Sequence, residues 1–414
     1  MKIKKSDKIV IIVTVLLIAA ALVVKIGFRS GDNTHNTAAK PKKEKVNLVF
    51  TQLRESEWEQ GALSSLIGEY KGLHPEVSIR EQTQGYDEFR DTGAETAEPD
   101  IIVMESRYLA EFIKAGTFSF PDSQGAFINE SRERVLPLVS SMDVLFYNID
   151  ILKAAGFDRP PRDRTEFLRY AQAVSKGEGS AKQYGAALAL SPADNRGAFR
   201  DVFSWIWAAG TIMTKEGVPD FNGKAINDTL AFLAQLEKEG LLAPQSFTTT
   251  GAERLDEFAA GKIAMITGSV QDIVQLRDRM KDGAFGITLI PGPAGYAGKP
   301  VFGLSTWYAG INAKSGHPDE AWNFLLYLQE NSSRLAEQIR AVPGSNDSAA
   351  AYITEDPFYA KAWDMYEAAD LVQELTTIPK IRELENAVRE ELANMFANNT
   401  AAADTAAAIQ KKWE

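Results

Sequence analysis

The chain has 414 residues, 45% of them hydrophobic and 24% charged, which allows two or three domains with real apolar cores and sets disorder aside. Residues 1–45 carry a net charge of +7, so the remainder carries −18 of the total of −11; an acidic body excludes nucleic-acid binding, which needs basic patches to neutralise phosphates. Cysteine is absent, which excludes disulfides, thiolate metal sites, cysteine nucleophiles and a lipid-modified N-terminal cysteine.

In chain order, Lys2, Lys4, Lys5 and Lys8 precede an apolar run from Ile9 to Val24 broken only by Thr14, the charged-then-apolar layout of an export signal. The run is about 16 residues, or about 20 if Lys25 snorkels and Phe28 is included, which only just spans a bilayer. Ala19, Ala20 and Ala21 offer a cleavage site, so a cleaved signal peptide and an anchor over residues 9–28 both fit. The lysines ahead of the run put the body on the far side of the membrane, in the periplasm or on the extracellular face. Residues 30–45 are polar and read as a tether, so 1–45 forms a signal or anchor segment with its linker.

The body opens with a predicted strand at Val46–Thr51 and a helix over Gly61–Gly72, with Leu63, Leu66, Ile67 and Tyr70 at helical spacing. Pro75 ends that helix, and Val77–Arg80 is a second strand. Asp100–Met104 (DIIVM) has the apolar run of a strand buried on both faces. A helix with Leu109, Phe112 and Ile113 follows and closes at Gly116. Such strand–helix alternation predicts an α/β fold with a parallel sheet. Leu136–Tyr147 is extended. Ile149–Gly156 and Arg164–Lys176 are helices, joined by a loop holding Pro160-Pro161. Tyr184–Leu190 is a strand, Phe199–Ala209 an aromatic-rich helix, and Asn227–Gly240 a helix with Leu230, Leu233 and Leu236 on one side. Lys262–Thr267 and Phe285–Ile290 are strands separated by a helix, and Val301–Asn312 is extended. Pro318–Gln329 is helical, and from Asp356 onward the chain reads as nearly all helix. There is no internal repeat, and clusters such as Pro291–Gly298 mark loops.

Five stretches carry a resemblance to a known family. They are Pro99–Met104 (PDIIVM) with Ala110–Gly116 (AEFIKAG); Met142–Phe157 (MDVLFYNIDILKAAGF) with Arg159-Pro160-Pro161; Glu257–Gly268 (EFAAGKIAMITG); Phe302–Ala313 (FGLSTWYAGINA) with Glu320-Ala321 and Phe324-Leu325; and Ile378–Arg389 (IPKIRELENAVR). In this order they resemble the maltose-binding-protein-like family of solute-binding proteins of ABC importers. The resemblance implies a two-lobed clamshell with crossing hinge strands and a helical C-terminus. One lobe would be 46–139 plus 310–354 and the other 145–306 plus 355–414, with hinge crossings at 140–144 and 307–309. A hinge lets both lobes contact a ligand, and closure removes it from water. The aromatics that stack on maltodextrin in that subfamily, near Met104, near Gln271 and at Glu385, are absent.

Candidate ligand contacts follow from these positions. Arg54, Glu55 and Trp58 stand where the first strand enters a helix, which presents side chains and helix N–H groups to a ligand. Glu105, Ser106 and Arg107 follow the third strand and offer acceptors and donors to a polyhydroxyl ligand; Ser106 would equally serve as a helix cap. Ser141 and Met142 precede the crossing strand. Gln271 follows Gly268-Ser269 on the loop of the second lobe, where Ser269 is also a natural N-cap. Trp307 and Tyr308 on the return crossing could stack on a sugar or pack between lobes. Trp205 and Trp207 point to different sides of their helix, and Trp205 is the site candidate. Glu385 and Arg389 stand four apart, beside the stripe Ile381, Leu384, Val388 and Leu392; they line a cleft or form an i,i+4 ion pair.

Catalysis finds no support. His35, His74 and His317 are the three histidines, none with a metal-ligand partner at short spacing, and there is no GxSxG elbow or Walker loop. No cofactor, metal or catalytic residue is expected. The expected partners are a small-molecule ligand, a carbohydrate by the resemblance, and ABC permease subunits, with no nucleic acid and a monomeric state. Two alternatives stay open: a tethered ligand sensor, and a binder of another polar solute such as a polyamine or amino acid.

Overall fold

A computed structural model describes residues 44–53, 61, 63–93, 99–119, 135–179, 182–194, 196–215, 218–343, 351–378 and 380–414. The apolar run Ile9–Val24 and the candidates Arg54, Glu55 and Trp58 lie outside the described residues. Among the described residues, no helix is long and apolar enough to cross a membrane.

The described residues form thirteen strands in chain order: β1 (Val46–Leu53), β2 (Val77–Gln84), β3 (Ile101–Glu105), β4 (Phe118–Ser119), β5 (Val135–Asn148), β6 (Tyr184–Ala186), β7 (Thr214–Lys215), β8 (Val218–Pro219), β9 (Ile263–Ser269), β10 (Phe285–Thr288), β11 (Val301–Asn312), β12 (Val342–Pro343) and β13 (Asp370–Val372). The main path of the sheet is β2-β1-β3-β11-β5-β9-β6. β1 pairs parallel with β2 and β3, as strand–helix alternation predicts. The centre is antiparallel: β11 pairs with β3 and β5, and β5 with β9. β6 returns to parallel pairing with β9. The fold is therefore mixed α/β, not a parallel sheet throughout.

Two apolar layers cover the sheet, and side-chain alternation sorts residues between them. On β3, Ile102 and Met104 enter one layer while Ile101 and Val103 enter the other. On β5, Leu145 joins Met104, Trp205, Leu384 and Val388, whereas Met142, Val144 and Phe146 join Phe50, Val103 and Phe324. β5 and β11 are the longest strands because both continue past the central pairing. β5 meets β11 and β12 along its first half and β9 and β10 along its second.

Two predicted elements are shorter than their apolar runs imply. Only Tyr184–Ala186 of the stretch to Leu190 is strand. Beyond it, the Ala189 N–H donates to the Asp201 carboxylate at 2.7 Å and the Leu190 N–H to the Ser246 carbonyl at 2.7 Å, so backbone groups leave the ladder for other partners. After Asp356 the helices Pro357–Ala368, Ile381–Asn398 and Ala402–Trp413 are interrupted by β13, which pairs parallel with β11, and by a 3-10 turn at Glu374–Thr377.

Candidate functional site

At the C-terminal end of β3 the chain leaves the sheet with Glu105 and turns through Ser106–Tyr108. Side chains from distant segments converge here. The Ser305 hydroxyl of β11 donates to Glu105 Oε1. Arg107 Nε donates to Glu105 Oε2 at 3.1 Å. Arg107 Nη1 reaches both oxygens of Glu385, at 3.1 and 3.3 Å. Glu385 stands on the helix Ile381–Asn398, so this ion pair ties positions 278 residues apart. Arg196 Nε lies 3.9 Å from Glu105 Oε1. The Arg107 guanidinium also lies over the Tyr108 ring, 4.6 Å from its centroid. Glu105, Arg107 and Glu385 are 2%, 1% and 1% exposed, so this charge cluster is fully withdrawn from water.

Hydroxyl groups extend the cluster along β5, β9 and β11. The Ser106 hydroxyl accepts from the Thr306 N–H at 3.3 Å, which locks the end of β3 to β11. Ser141 and Ser269 share a hydrogen bond of 2.7 Å between β5 and β9, and Ser140 and Thr306 share one of 2.9 Å between β5 and β11. Two residues beyond Ser141 on the same side of β5, Asp143 borders a cavity of about 340 Å³ that is also lined by Ser204, Tyr296 and Gly303. None of Glu105, Arg107, Glu385 and Arg389 lines this cavity; its polar lining is Asp143, Arg162, Asp163, Ser204 and Tyr296, groups that suit a polar ligand.

Burial and charge act against each other here. Burial alone would raise the Glu105 carboxyl, but Arg107, Arg196 and the Ser305 hydroxyl outweigh it and hold the group below the ordinary carboxylate range. For Glu385 burial wins over Arg107 and Arg389, and its carboxyl is raised. Burial also pushes the Arg389 guanidinium below its ordinary value, against the opposing pull of Glu385.

The structure brings together Glu105, Ser106, Arg107, Glu385 and Arg389, with Ser141 adjoining on β5. Arg389 is 9% exposed. Its Nη2 donates to the Asn386 side-chain oxygen, and its Nη1 has no hydrogen-bond partner. Glu385 and Arg389 therefore do not form the surface pair their i,i+4 spacing allows; Glu385 turns to Arg107 instead. Gln271 stands at the start of the helix Asp272–Arg279, where its Nε2 donates to the Ile339 carbonyl at 2.9 Å. The Ser269 hydroxyl accepts from the Gln271 N–H at 3.2 Å. Tyr308 is half-buried, and its hydroxyl donates to Gln373 at 3.0 Å.

The remaining candidates are packed into apolar layers. Met142 is fully buried with Val144 and Phe146, on the face of β5 opposite Ser141. Trp205 packs edge-on against Phe167, with centroids 5.1 Å apart, and Trp207 against Phe199 at 5.1 Å. Trp307 is 0% exposed and shares its apolar layer with Leu304 and Ile311. The register of β5 and β11 slips directly after it, between Trp307 and Tyr308. Sequence reasoning missed Arg196, Ser305 and Asn386. Arg196 had a signal: it stands in the turn Asp194–Gly197 leading into the aromatic helix, the same loop-to-helix position that singled out Arg54. Its N–H donates to Asp194 Oδ1 at 2.9 Å, fixing that turn. Among the described residues, no group of three or more His, Cys, Asp or Glu could hold a metal ion.

The family described as bacterial extracellular solute-binding protein matches residues 56–334. A Deinococcus radiodurans protein named "Probable ABC transporter-binding protein" is 25% identical over 279 residues, covering 64% of each chain. A relative from Brucella abortus is 22% identical over 253 residues, 57% of this chain and 59% of its own. The chain thus aligns over less than two thirds of the length of these curated relatives. Among solved structures, maltose-bound MalE3 of T. maritima is 17% identical, covers 89% of this chain and 99% of its own, and superposes with a TM-score of 0.71. The sugar-binding protein MalE of Xanthomonas citri is 16% identical, with coverages of 89% and 96% and a TM-score of 0.72. At these identities the likeness is one of fold, the mixed α/β fold of the periplasmic binding proteins.

Proposed function

The chain belongs to the bacterial extracellular solute-binding protein family, and from that premise we propose that it captures a sugar or oligosaccharide at the polar cluster around Glu105 and delivers it to an ABC importer. Membership of this family carries ligand capture, not turnover. The single observation behind the site is the convergence of β3, β11 and the helix Ile381–Asn398 on a buried charged cluster, joined through Glu105, Arg107, Ser305 and Glu385.

In this reading residues 46–139 plus 310–354 and residues 145–306 plus 355–414 are the two lobes, crossing at 140–144 and 307–309. Glu105 and Arg107 belong to the first lobe, and Glu385, Arg389 and Arg196 to the second. Residues of both lobes then meet on the ligand, and the bonds of Arg107 to Glu385 fasten the closed form. Opening exchanges these bonds for water, and closure around the ligand restores them. Arg54, Glu55 and Trp58, after β1, are assigned to the same mouth. The apolar run Ile9–Phe28 accounts for export and for retention at the membrane.

The test is a fractionation of expressing cells followed by a thermal-shift screen of the full chain against a carbohydrate panel. The protein is expected with the membrane or in the periplasm, and a saccharide is expected to raise its melting temperature, because binding to the native state stabilises it. Recovery from the cytoplasm alone would refute export. A shift from a polyamine or amino acid with none from any saccharide would refute the ligand class.

A further inference from the structure

We propose that the cavity beside Asp143 is a second saccharide site, set apart from the charged cluster, and that it holds a single sugar ring against Tyr296. The inference goes beyond the reading of the cluster and does not depend on it.

At about 340 Å³ the cavity is near the small end of the range for small-molecule sites, about 300–1,000 Å³, so it has room for one ring rather than a chain of them. Every residue lining it falls between Asp143 and Gly303. No part of the first lobe contributes, and the site needs no lobe closure to form. Asp143 is 2% exposed, and its carboxylate accepts from the Ser204 hydroxyl at 3.4 Å.

The loop 291–300 supplies an aromatic ring to this cavity and is firmly held. Its Gly292 carbonyl accepts from the Arg164 N–H at 2.9 Å, and the Tyr296 N–H donates to the Pro293 carbonyl at 3.1 Å. Pro291, Pro293 and Pro300 restrict its backbone. The Tyr296 ring is seated against glycines, since a Cβ on either Gly210 or Gly298 would stand 2.3 Å from it. Its hydroxyl donates to the Lys299 carbonyl at 2.9 Å, which pins the far end of the side chain. Tyr296 is nevertheless 40% exposed and lines the cavity. Among the described residues it is the one aromatic in the set of exposed large apolar side chains, whereas Trp205 and Trp307 are committed to apolar packing.

The lining selects a polyol. A hydroxyl both donates and accepts, so a sugar ring uses the carboxylates of Asp143 and Asp163 and the guanidinium of Arg162 together, while its C–H face covers the tyrosine. An ammonium only donates and has nothing to give Arg162; a carboxylate only accepts and meets two acids.

The test puts fluorotyrosine in place of Tyr296 in the full chain and follows its fluorine resonance as methyl glycosides of glucose, galactose and mannose are added, with putrescine and propionate as further arms. At least one glycoside is expected to shift the resonance saturably, and neither putrescine nor propionate to do so. In calorimetry Tyr296→Ala is expected to weaken that glycoside at least about tenfold, and Tyr296→Phe to keep it within about threefold, because the hydroxyl is already bonded within the loop. A resonance unmoved by every glycoside overturns the proposal, and a saccharide that still binds in calorimetry then leaves capture at the cluster standing. Tighter binding of putrescine or propionate, read from the same resonance, overturns the polyol. Unchanged affinity in Tyr296→Ala, or an equal loss in Tyr296→Phe, overturns the part given to the ring. If Tyr296→Ala does not fold, the resonance of the labelled chain decides alone.

Discussion

Arg107 holds two carboxylates at once, Glu105 two residues away and Glu385 on a remote helix, with none of the three in contact with water. Removing one partner of such a buried set leaves charge uncompensated, which is far more damaging than replacing the whole set by apolar groups. Arg107→Met is therefore expected to lower the unfolding free energy by about 3–5 kcal/mol in urea titration. A loss under about 1 kcal/mol, the usual worth of an exposed pair, would show that the cluster is solvated in solution. At this scale the sequence was informative about residue type and poor about facing. Glu105, Arg107, Glu385 and Arg389 were legible as charges at the ends of predicted elements. Trp307 and Met142 were not, because the layer that a strand face packs into decides where such side chains go, and that is not written in local composition.

The elements that build the cluster are β3, β11 and the helix Ile381–Asn398. That helix begins after Lys380, which takes a left-handed conformation at φ 63°, unusual for a residue other than glycine. Gly303 lets β11 approach the aromatic helix: a Cβ there would stand 1.9 Å from the Trp207 ring. Trp207 cannot withdraw freely, since its Nε1 donates to Glu374 at 2.5 Å and its ring packs on Phe199 and Phe203. Gly303→Ala is accordingly expected to cost about 1–3 kcal/mol, the range for overpacking a tight contact, as read from urea midpoints. An unchanged midpoint would mean that the strand and ring separate without penalty. Most elements were legible because apolar periodicity sets them: Val301–Asn312 is a strand over the predicted span, and Leu230, Leu233 and Leu236 are all buried. Tyr184–Leu190 was overextended because an apolar run records burial, whereas strand assignment needs a partner for each backbone group.

For the whole molecule the buried acids predict how stability varies with pH. Glu105, Asp194 and Glu166 are all held below their ordinary values. For Glu105 and Asp194 burial opposes the shift and neighbouring arginines overcome it; for Glu166 the Arg159 hydrogen bonds bring it to about 2. Such groups contribute stability that is complete above their unfolded values and is lost as the pH falls through the folded ones. Glu385, raised by burial, has the opposite sign: it costs stability when ionised, and that cost disappears as the pH falls through its raised value. Urea midpoints from pH 7 to pH 3 are thus expected to hold or rise slightly in mild acid and then to fall below about pH 4, where ordinary carboxylates protonate. Glu385→Gln should abolish the mild-acid gain, and a midpoint falling steadily from pH 7 would contradict the assignment of signs.

By itself the sequence determined the acidic, cysteine-free body, the order of strands and helices, and the family pattern, because composition, periodicity and short motifs act along the chain. Only the tertiary structure decided which charges meet. Glu105, Arg196, Ser305 and Glu385 are separated by tens to hundreds of residues and become neighbours because β11 pairs with β3 and β5 while a helix near the C-terminus packs back over the end of β3. The same packing leaves one nitrogen of Arg389 without a hydrogen-bond partner. No property of the segment Ile381–Asn398 alone distinguishes that arginine from an exposed one, because the difference lies in what the rest of the fold places around it.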